Sequence, residues 1–385
     1  DKSSGRQAFG LDVRRPAQLT AVVARPPVFG ARLKSVDDRA ARAVQGVKAV
    51  LRVPLDRGAE GVAVIATGTW PAMQGRQALQ LEWDTSGVEK VDSARQLAQY
   101  RALAEQPGPR QHDTDLAPLA TAPRRLEAEF VFPYLAHAPM EPLNCTVEPN
   151  ADGGATLWVG SQMPGLDGMA AARTLGLQPQ QVQVRVQMAG GGFGRRAIPS
   201  SDYVVEACAI AKAAWAGGLK APVQTVWSRE DDVRGGYYRP MHLHRARIGF
   251  DERGRVLAWD HVIVGQSIVA GSPFEPMMVK NGIDATAVEG MRDPYPLPMR
   301  LTVHHPKVNV PVLWWRSVGS THTAFVMETL IDQIARETGQ DPVAYRLGLF
   351  GSQHPRHRAA LELAVARSGY GQQALPAGQI GRAHV

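Results

Sequence analysis

Gln181-Val182-Gln183-Val184-Arg185-Val186-Gln187-Met188-Ala189-Gly190-Gly191-Gly192-Phe193-Gly194-Arg195-Arg196 is the stretch on which the reading of this chain turns. Val182, Val184, Val186 and Met188 alternate with Gln181, Gln183, Arg185 and Gln187, and a period of two predicts an amphipathic strand. The strand runs into four glycines around Phe193, and a helix is expected from about Ser201-Asp202, capped by those two polar residues, through Ala213. Glycines at a strand end let backbone N–H groups close on a phosphate or oxo group, and a nearby helix N-terminus favours negative charge. The spacing fits neither familiar phosphate loop. Arg195 stands where the last glycine of GxGxxG belongs, and no Gly-Lys-Ser/Thr follows. A bound anionic cofactor and a glycine-rich strand end at close packing both remain open at this point.

Working outward, the chain reads as two mixed regions. Leu19 to Val28 is a strand stopped at Arg25-Pro26-Pro27. Asp37-Asp38 opens an alanine-rich helix closed by Gly46, and Val47–Val53 is a second strand. Gly61–Ala66 is continuously apolar and reads as a strand buried on both faces. Thr69–Leu81 returns to helix, so residues 1–85 are expected to form one compact α/β unit. Residues 86–122 hold a helix over 93–105 and the linker-like Gln106-Pro107-Gly108-Pro109-Arg110-Gln111-His112. From about Leu126 strands alternate again, Asp251-Glu252-Arg253-Gly254 marks a hairpin, and Phe325–Thr338 is an amphipathic helix.

Composition narrows the function classes. The chain has 385 residues, 44% hydrophobic and 21% charged, which excludes wholesale disorder. No stretch reaches the roughly 18 apolar residues of a membrane helix. The net charge of +7 is carried by scattered arginines without interleaved aromatics, so nucleic acid is not an expected partner. Two cysteines, Cys145 and Cys208, cannot by themselves hold an iron–sulfur cluster or a zinc ion.

Several other residues invite chemistry. Gln162 follows the strand Ala155–Gly160, where a cap or surface role is the ordinary reading. His137 and Glu141, in His137-Ala138-Pro139-Met140-Glu141-Pro142, suit acid–base work or a hydrogen-bonded loop, and the loop is the expectation. His242 and His244 share one strand face, and they and His304-His305 are read as core or solvated histidines, since no further metal ligand is spaced with them. In Trp314-Trp315-Arg316-Ser317-Val318-Gly319 the arginine either clamps an anion or stacks on its aromatic neighbours.

Taken together these motifs resemble the molybdopterin-binding large subunit of the xanthine dehydrogenase/aldehyde oxidase family, of the isoquinoline 1-oxidoreductase β-subunit type, over residues 7–376. The resemblance rests on Phe9–Val13, Ala24–Gly30 and Gly61–Trp83. It rests further on His137–Pro142, Gly190–Arg196, and Arg316–His322 leading into Glu328–Ala335. It implies an α+β fold: an α/β hammerhead domain over 1–85, a helix and linker over 86–122, and a molybdopterin-binding domain of mixed sheets with flanking helices over 123–379, incomplete at its C-terminus. It also implies that Gln162 hydrogen-bonds an oxo ligand of molybdenum. Gly190, Gly191, Gly192, Phe193 and Gly194 would lend backbone donors beside the metal and its dithiolene, with Arg316, Ser317, Val318 and Gly319 lining the opposite wall.

The implied cofactor is a molybdopterin dinucleotide, the cytosine form. The implied reaction is hydroxylation, with oxygen from water, of a carbon beside a heteroaromatic nitrogen or of an aldehyde carbon. Electrons would leave through a small subunit carrying two 2Fe–2S clusters, with a cytochrome a further downstream acceptor. The two cysteines agree with clusters carried on a partner. Two departures matter. The family's catalytic base, a glutamate in a Gly-rich motif, has no counterpart before residue 379, so no catalytic residue is expected within this chain and the piece alone is expected to be inactive. The acid that the purine-hydroxylating branch carries near Ala197 is also absent, which argues against xanthine. The tail Gln379–Val385 resembles a translated sequencing adapter, so residues 380–385 are expected to lie outside the native protein. A periplasmic location follows by resemblance. A non-catalytic anion- or cofactor-binding protein is the rival from another class.

Overall fold

A computed structural model describes residues 2–371; the expected adapter tail lies outside them. Two larger sheets are built from strands β1 (Leu19–Ala24), β2 (Val47–Pro54), β3 (Glu60–Ala66), β4 (Arg110–His112), β5 (Arg124–Phe132), β6 (Asn144–Pro149), β7 (Ala155–Val159), β8 (Val182–Val186), β9 (Val223–Val226), β10 (His242–Phe250), β11 (Val256–Gly265) and β12 (Met299–His304). The first sheet has the order β8-β7-β6-β9-β1-β3-β2 and the second β4-β12-β11-β10-β5. The last three residues of the expected linker, Arg110–His112, are strand β4 instead, because they pair with β12. Both mix parallel and antiparallel pairs, consistent with the α+β reading.

Each sheet is the centre of its own compact unit. The first unit takes the residues up to Asp92, Tyr134–Pro240 and Val308–Arg316. The second takes Ser93–Pro133, Met241–Lys307 and the described residues from Ser317 onward. The units therefore do not follow the sequence boundaries at 85 and 122. The physical reason is the parallel pair β1–β9, Leu19↔Val223 to Ala21↔Thr225, which places the N-terminal strands in the same sheet as strands some two hundred residues later.

In the first unit β3 is buried from Gly61 through Ala66, the burial its unbroken apolar run predicts. Helices α1 (Pro164–Leu175) and α2 (Asp202–Ala216) cover the sheet and build one apolar core with Leu143, Val147, Leu157, Val159, Tyr203, Ile210 and Trp227. Alanine at 207, 211 and 214 lets α2 lie close to the sheet. The expected side-chain cap of α2 does not form: Ser201 sits at the cap in the left-handed region, φ +51°, with no capping bond, and the Asp202 carboxylate is taken by Arg195 at 3.0 and 2.6 Å. In the second unit α3 (Ser320–Glu337) buries Val326, Met327, Leu330, Ile331 and Ile334 against Trp259, Ile263, Leu301 and Val303. It starts five residues earlier than expected. The hairpin Asp251–Gly254 joins β10 to β11 as read.

Candidate functional site

The parallel pairing of β7 with β8, Ala155↔Val182 to Val159↔Val186, brings both strand ends to one edge region of the first unit. Their exits, Gly160-Ser161-Gln162 and Ala189–Arg196, therefore lie side by side. The Gln162 N–H donates to the Arg196 carbonyl at 3.0 Å, and the Arg196 N–H donates to Gln162 Oε1 at 3.2 Å. With its oxygen spent, Gln162 turns its amide nitrogen outward as a donor that has no partner among the described residues.

The glycine loop is a cradle that side chains would fill. A Cβ at Gly190 would stand 2.5 Å from Glu141 Cβ, and one at Gly192 would stand 2.6 Å from Gln162 Oε1. Gly194, at φ +100°, would put a Cβ 2.8 Å from the Trp314 carbonyl oxygen. Gly191 and Phe193 also have positive φ, +107° and +54°, so the backbone of the loop departs from an extended strand. Among the described residues the N–H groups of Gly191, Gly192, Phe193 and Gly194 carry no hydrogen bond. Four consecutive unspent amide donors beside an unspent carboxamide N–H suit an oxygen-rich anionic group, while the close Cβ approaches at Gly190, Gly192 and Gly194 show that the glycines also serve close packing.

Two buried groups hold this arrangement. The Arg196 side chain, fully buried, donates to the carbonyls of Gly191 (2.9 Å), Gly160 (3.3 Å) and Glu141 (2.9 Å), and to the Glu141 carboxylate (3.1 Å). Glu141 in turn accepts the N–H of Gly190 at 2.8 Å, the N–H of Leu11 at 2.8 Å and Asn144 Nδ2 at 3.2 Å. Glu141 is thus a loop pin and not an acid–base group. Arg196 was not singled out on its own in the sequence. Its signal was a second arginine closing a glycine loop, in a chain with a buried-loop carboxylate to pair with it.

Next to the loop three rings stack, His137 on Trp315 (5.4 Å, 14°) and Trp315 on Phe193 (5.9 Å, 18°). Phe193 keeps its strained backbone because its carbonyl accepts the Arg316 N–H at 2.9 Å. His137 places Nε2 2.8 Å from the Trp314 carbonyl and Nδ1 3.2 Å from that of Tyr237; burial pushes its pKa down to about 4, so the neutral ring serves the shorter contact. Arg316 is exposed, and its guanidinium has no ion pair or ring contact among the described residues; Trp315 stacks on its other neighbours instead. The structure therefore gathers Gln162, Gly190–Gly194 and Arg316 in the first unit. The chain passes to the second unit between Arg316 and Ser317, so Ser317, Val318 and Gly319 belong there. Val318 has φ +49°, and a Cβ on Gly319 would lie 1.8 Å from the Thr286 carbonyl oxygen.

The second unit contains a cluster only half visible in the sequence. His242 and His244 of β10 are buried, the core alternative of the two readings, with His261 of β11 and His322 of α3. Trp259 Nε1 lies 3.1 Å from His261 Nδ1, His261 Nε2 lies 3.0 Å from His244 Nδ1, and His244 Nε2 lies 2.8 Å from His322 Nδ1. An indole N–H only donates, so it sets the direction of the whole chain: His261 and then His244 each carry their proton on Nε2. Burial holds the pKa of His244 well below its ordinary value and that of His261 down at about 3. His305 is likewise spent, on the Gly265 carbonyl and the Asp284 N–H. Cys145 and Cys208 are buried free thiols with pKa values raised by burial.

Comparison with known proteins decides the family. Residues 106–348 match the family model described as molybdopterin cofactor-binding domain. The chain belongs to that family. It is 30% identical over 390 aligned positions to isoquinoline 1-oxidoreductase subunit beta of Brevundimonas diminuta, covering 98% of this chain and 48% of that protein. It is 26% identical to the membrane-bound aldehyde dehydrogenase (pyrroloquinoline-quinone) of Gluconacetobacter polyoxogenes, over 91% of this chain and 46% of that one. In structure it is similar to quinoline 2-oxidoreductase from Pseudomonas putida 86, with TM-score 0.74 and 18% identity over 96% of this chain and 52% of that one. The chain thus spans about half the length of the relatives it matches. As a molybdopterin-binding member of an oxidoreductase family it fits the expectation from sequence. No helix among the described residues is long and apolar enough to cross a membrane.

Proposed function

We propose that this chain forms the cofactor-holding part of a molybdenum hydroxylase that oxidises a carbon beside a ring nitrogen in an N-heteroaromatic substrate. The observation that carries the reading is the run of unspent N–H groups from Gly191 to Gly194 beside the outward Gln162 amide. The glycine-only cradle and this all-donor lining fit an oxygen- and phosphate-bearing pterin group. When bound, such a group supplies transfer of water-derived oxygen and acceptance of two electrons.

The chain's own residues bind and orient. The Gln162 amide would donate to an oxygen of the group, Gly191–Gly194 would give backbone donors while the glycines keep bulk out, and Arg316 in the same unit would serve as an anion clamp. The cofactor is proposed to be the cytosine dinucleotide, and electrons to pass to an iron–sulfur subunit. The heteroaromatic choice is supported by the isoquinoline and quinoline named for the relatives above; an aldehyde substrate is the second reading, supported by the aldehyde dehydrogenase relative.

The test uses the full-length protein with whatever subunits copurify. Molybdenum near one atom per chain, cytidine monophosphate after acid hydrolysis, and dye reduction with isoquinoline but not with benzaldehyde are expected. Gln162→Ala should retain the fold and lose most turnover. Absence of molybdenum in soluble full-length protein refutes the reading, and turnover of benzaldehyde alone transfers it to the aldehyde class.

A further inference from the structure

We infer that Arg196 and Glu141 are positioning residues, a buried clasp that sets the direction of the Gln162 amide and of the glycine-loop donors. The inference rests on the function proposed above for what it positions, but the clasp itself stands on geometry. One guanidinium reaches three carbonyls on three separate segments, at Gly191, Gly160 and Glu141, while its own backbone N–H holds Gln162 Oε1. The Gln162 oxygen is therefore turned inward by the same residue whose side chain ties the loop, and its NH2 group is turned out. The Glu141 carboxylate closes the circuit through the Gly190 N–H at one oxygen and the Leu11 N–H at the other.

A lysine in place of Arg196 keeps the charge facing Glu141 but has one nitrogen on a flexible stem in place of the guanidinium fork, so it cannot meet three carbonyls at once. Both partners are buried, with side-chain exposure of 0% for Arg196 and 6% for Glu141, so water does not replace the lost bonds. No atom of either side chain needs to touch cofactor or substrate for this role.

The first readout needs no cofactor. Hydrogen exchange is followed at three amides the clasp locks, those of Gly190, Gln162 and Arg196, in full-length Arg196→Lys and in wild type. At least about tenfold faster exchange at Gly190 and Gln162, with the amides of β1 and β3 unchanged, supports the clasp. Unchanged exchange at all three overturns it, whatever the protein binds. Glu141→Gln, which keeps the volume, serves the same comparison if Arg196→Lys does not fold. The second readout is a double-mutant cycle on turnover. If Arg196 acts through Gln162, Gln162→Ala combined with Arg196→Lys is no worse than about threefold below the more damaging single variant. Losses that multiply overturn the coupling. A wild-type protein without molybdenum removes the function reading and leaves the exchange result to decide the clasp alone.

Discussion

The histidine chain in the second unit makes a quantitative prediction about acid. His261 is held neutral by burial with a pKa near 3, against an ordinary value of 6.5. Between those values the unfolded chain binds a proton that the folded chain refuses, so stability falls as pH drops. The contribution is fully present above about pH 6.5 and is lost progressively on the way down. Each pH unit costs about 1.4 kcal/mol for each such group, so at about pH 5 His261 alone accounts for about 2 kcal/mol. His244 acts in the same direction, and so does His137 in the first unit with its pKa near 4. Buried carboxyls whose pKa is raised by burial, such as Asp167 and Asp232 of the first unit, act with the opposite sign. A difference between two proteins isolates one histidine from these.

His261→Gln keeps an acceptor for Trp259 and a donor for His244 but has nothing to protonate. Urea unfolding is compared at about pH 7.5 and about pH 5, read by pulsed hydrogen exchange on peptides from β10 and β11 so that the second unit reports on itself. The variant should lose about 2 kcal/mol less than wild type between the two conditions. Equal losses, within about 0.5 kcal/mol, refute the assignment of a neutral buried His261. Nitrogen chemical shifts of the imidazoles give an independent check. His261 and His244 should both be protonated on Nε2 at neutral pH, and an Nδ1–H form at either would break the donor direction deduced from Trp259.

Two further outcomes follow from buried contacts in the first unit. Glu206 of α2 and Arg25 form a bidentate pair at 2.6 Å for both bonds, with the guanidinium 3.6 Å from the Trp227 ring centre. Glu206→Ala removes both short bonds from a buried cation that keeps only a 3.9 Å contact with Asp231, and should cost up to about 3–5 kcal/mol in urea unfolding, whereas a loss under about 1 kcal/mol contradicts the pairing. Gly190→Ala pushes a methyl group against Glu141 Cβ and should cost about 1–3 kcal/mol while lowering molybdenum per chain; an alanine tolerated on both measures contradicts the packing around the loop.

What the sequence disclosed and what it withheld divide along a physical line. Local pattern reports how a segment's own faces are buried, so β3 and β8 were legible, the first as an unbroken apolar run and the second as a strict alternation. Pattern does not name a distant partner. Nothing in Leu19–Ala24 announces Val223–Val226, and that single pairing is why one unit draws on both ends of the expected domain boundary. The same limit governs the site. Glu141 was visible as a carboxylate held in a proline-rich loop, yet only the arrival of Leu11, Gly190 and Arg196 around it makes it a pin. His242 and His244 were visible as one face of a strand, but the proton direction through His244 begins at Trp259 on the neighbouring strand. The glycine loop shows the point most sharply. Its spacing matches no familiar phosphate loop, because its glycines answer to different neighbours. Gly190 makes way for Glu141, Gly192 for Gln162 and Gly194 for Trp314. A motif shaped by three separate contacts has no reason to keep the spacing of a loop shaped by one phosphate, and its meaning is legible only with those contacts in place.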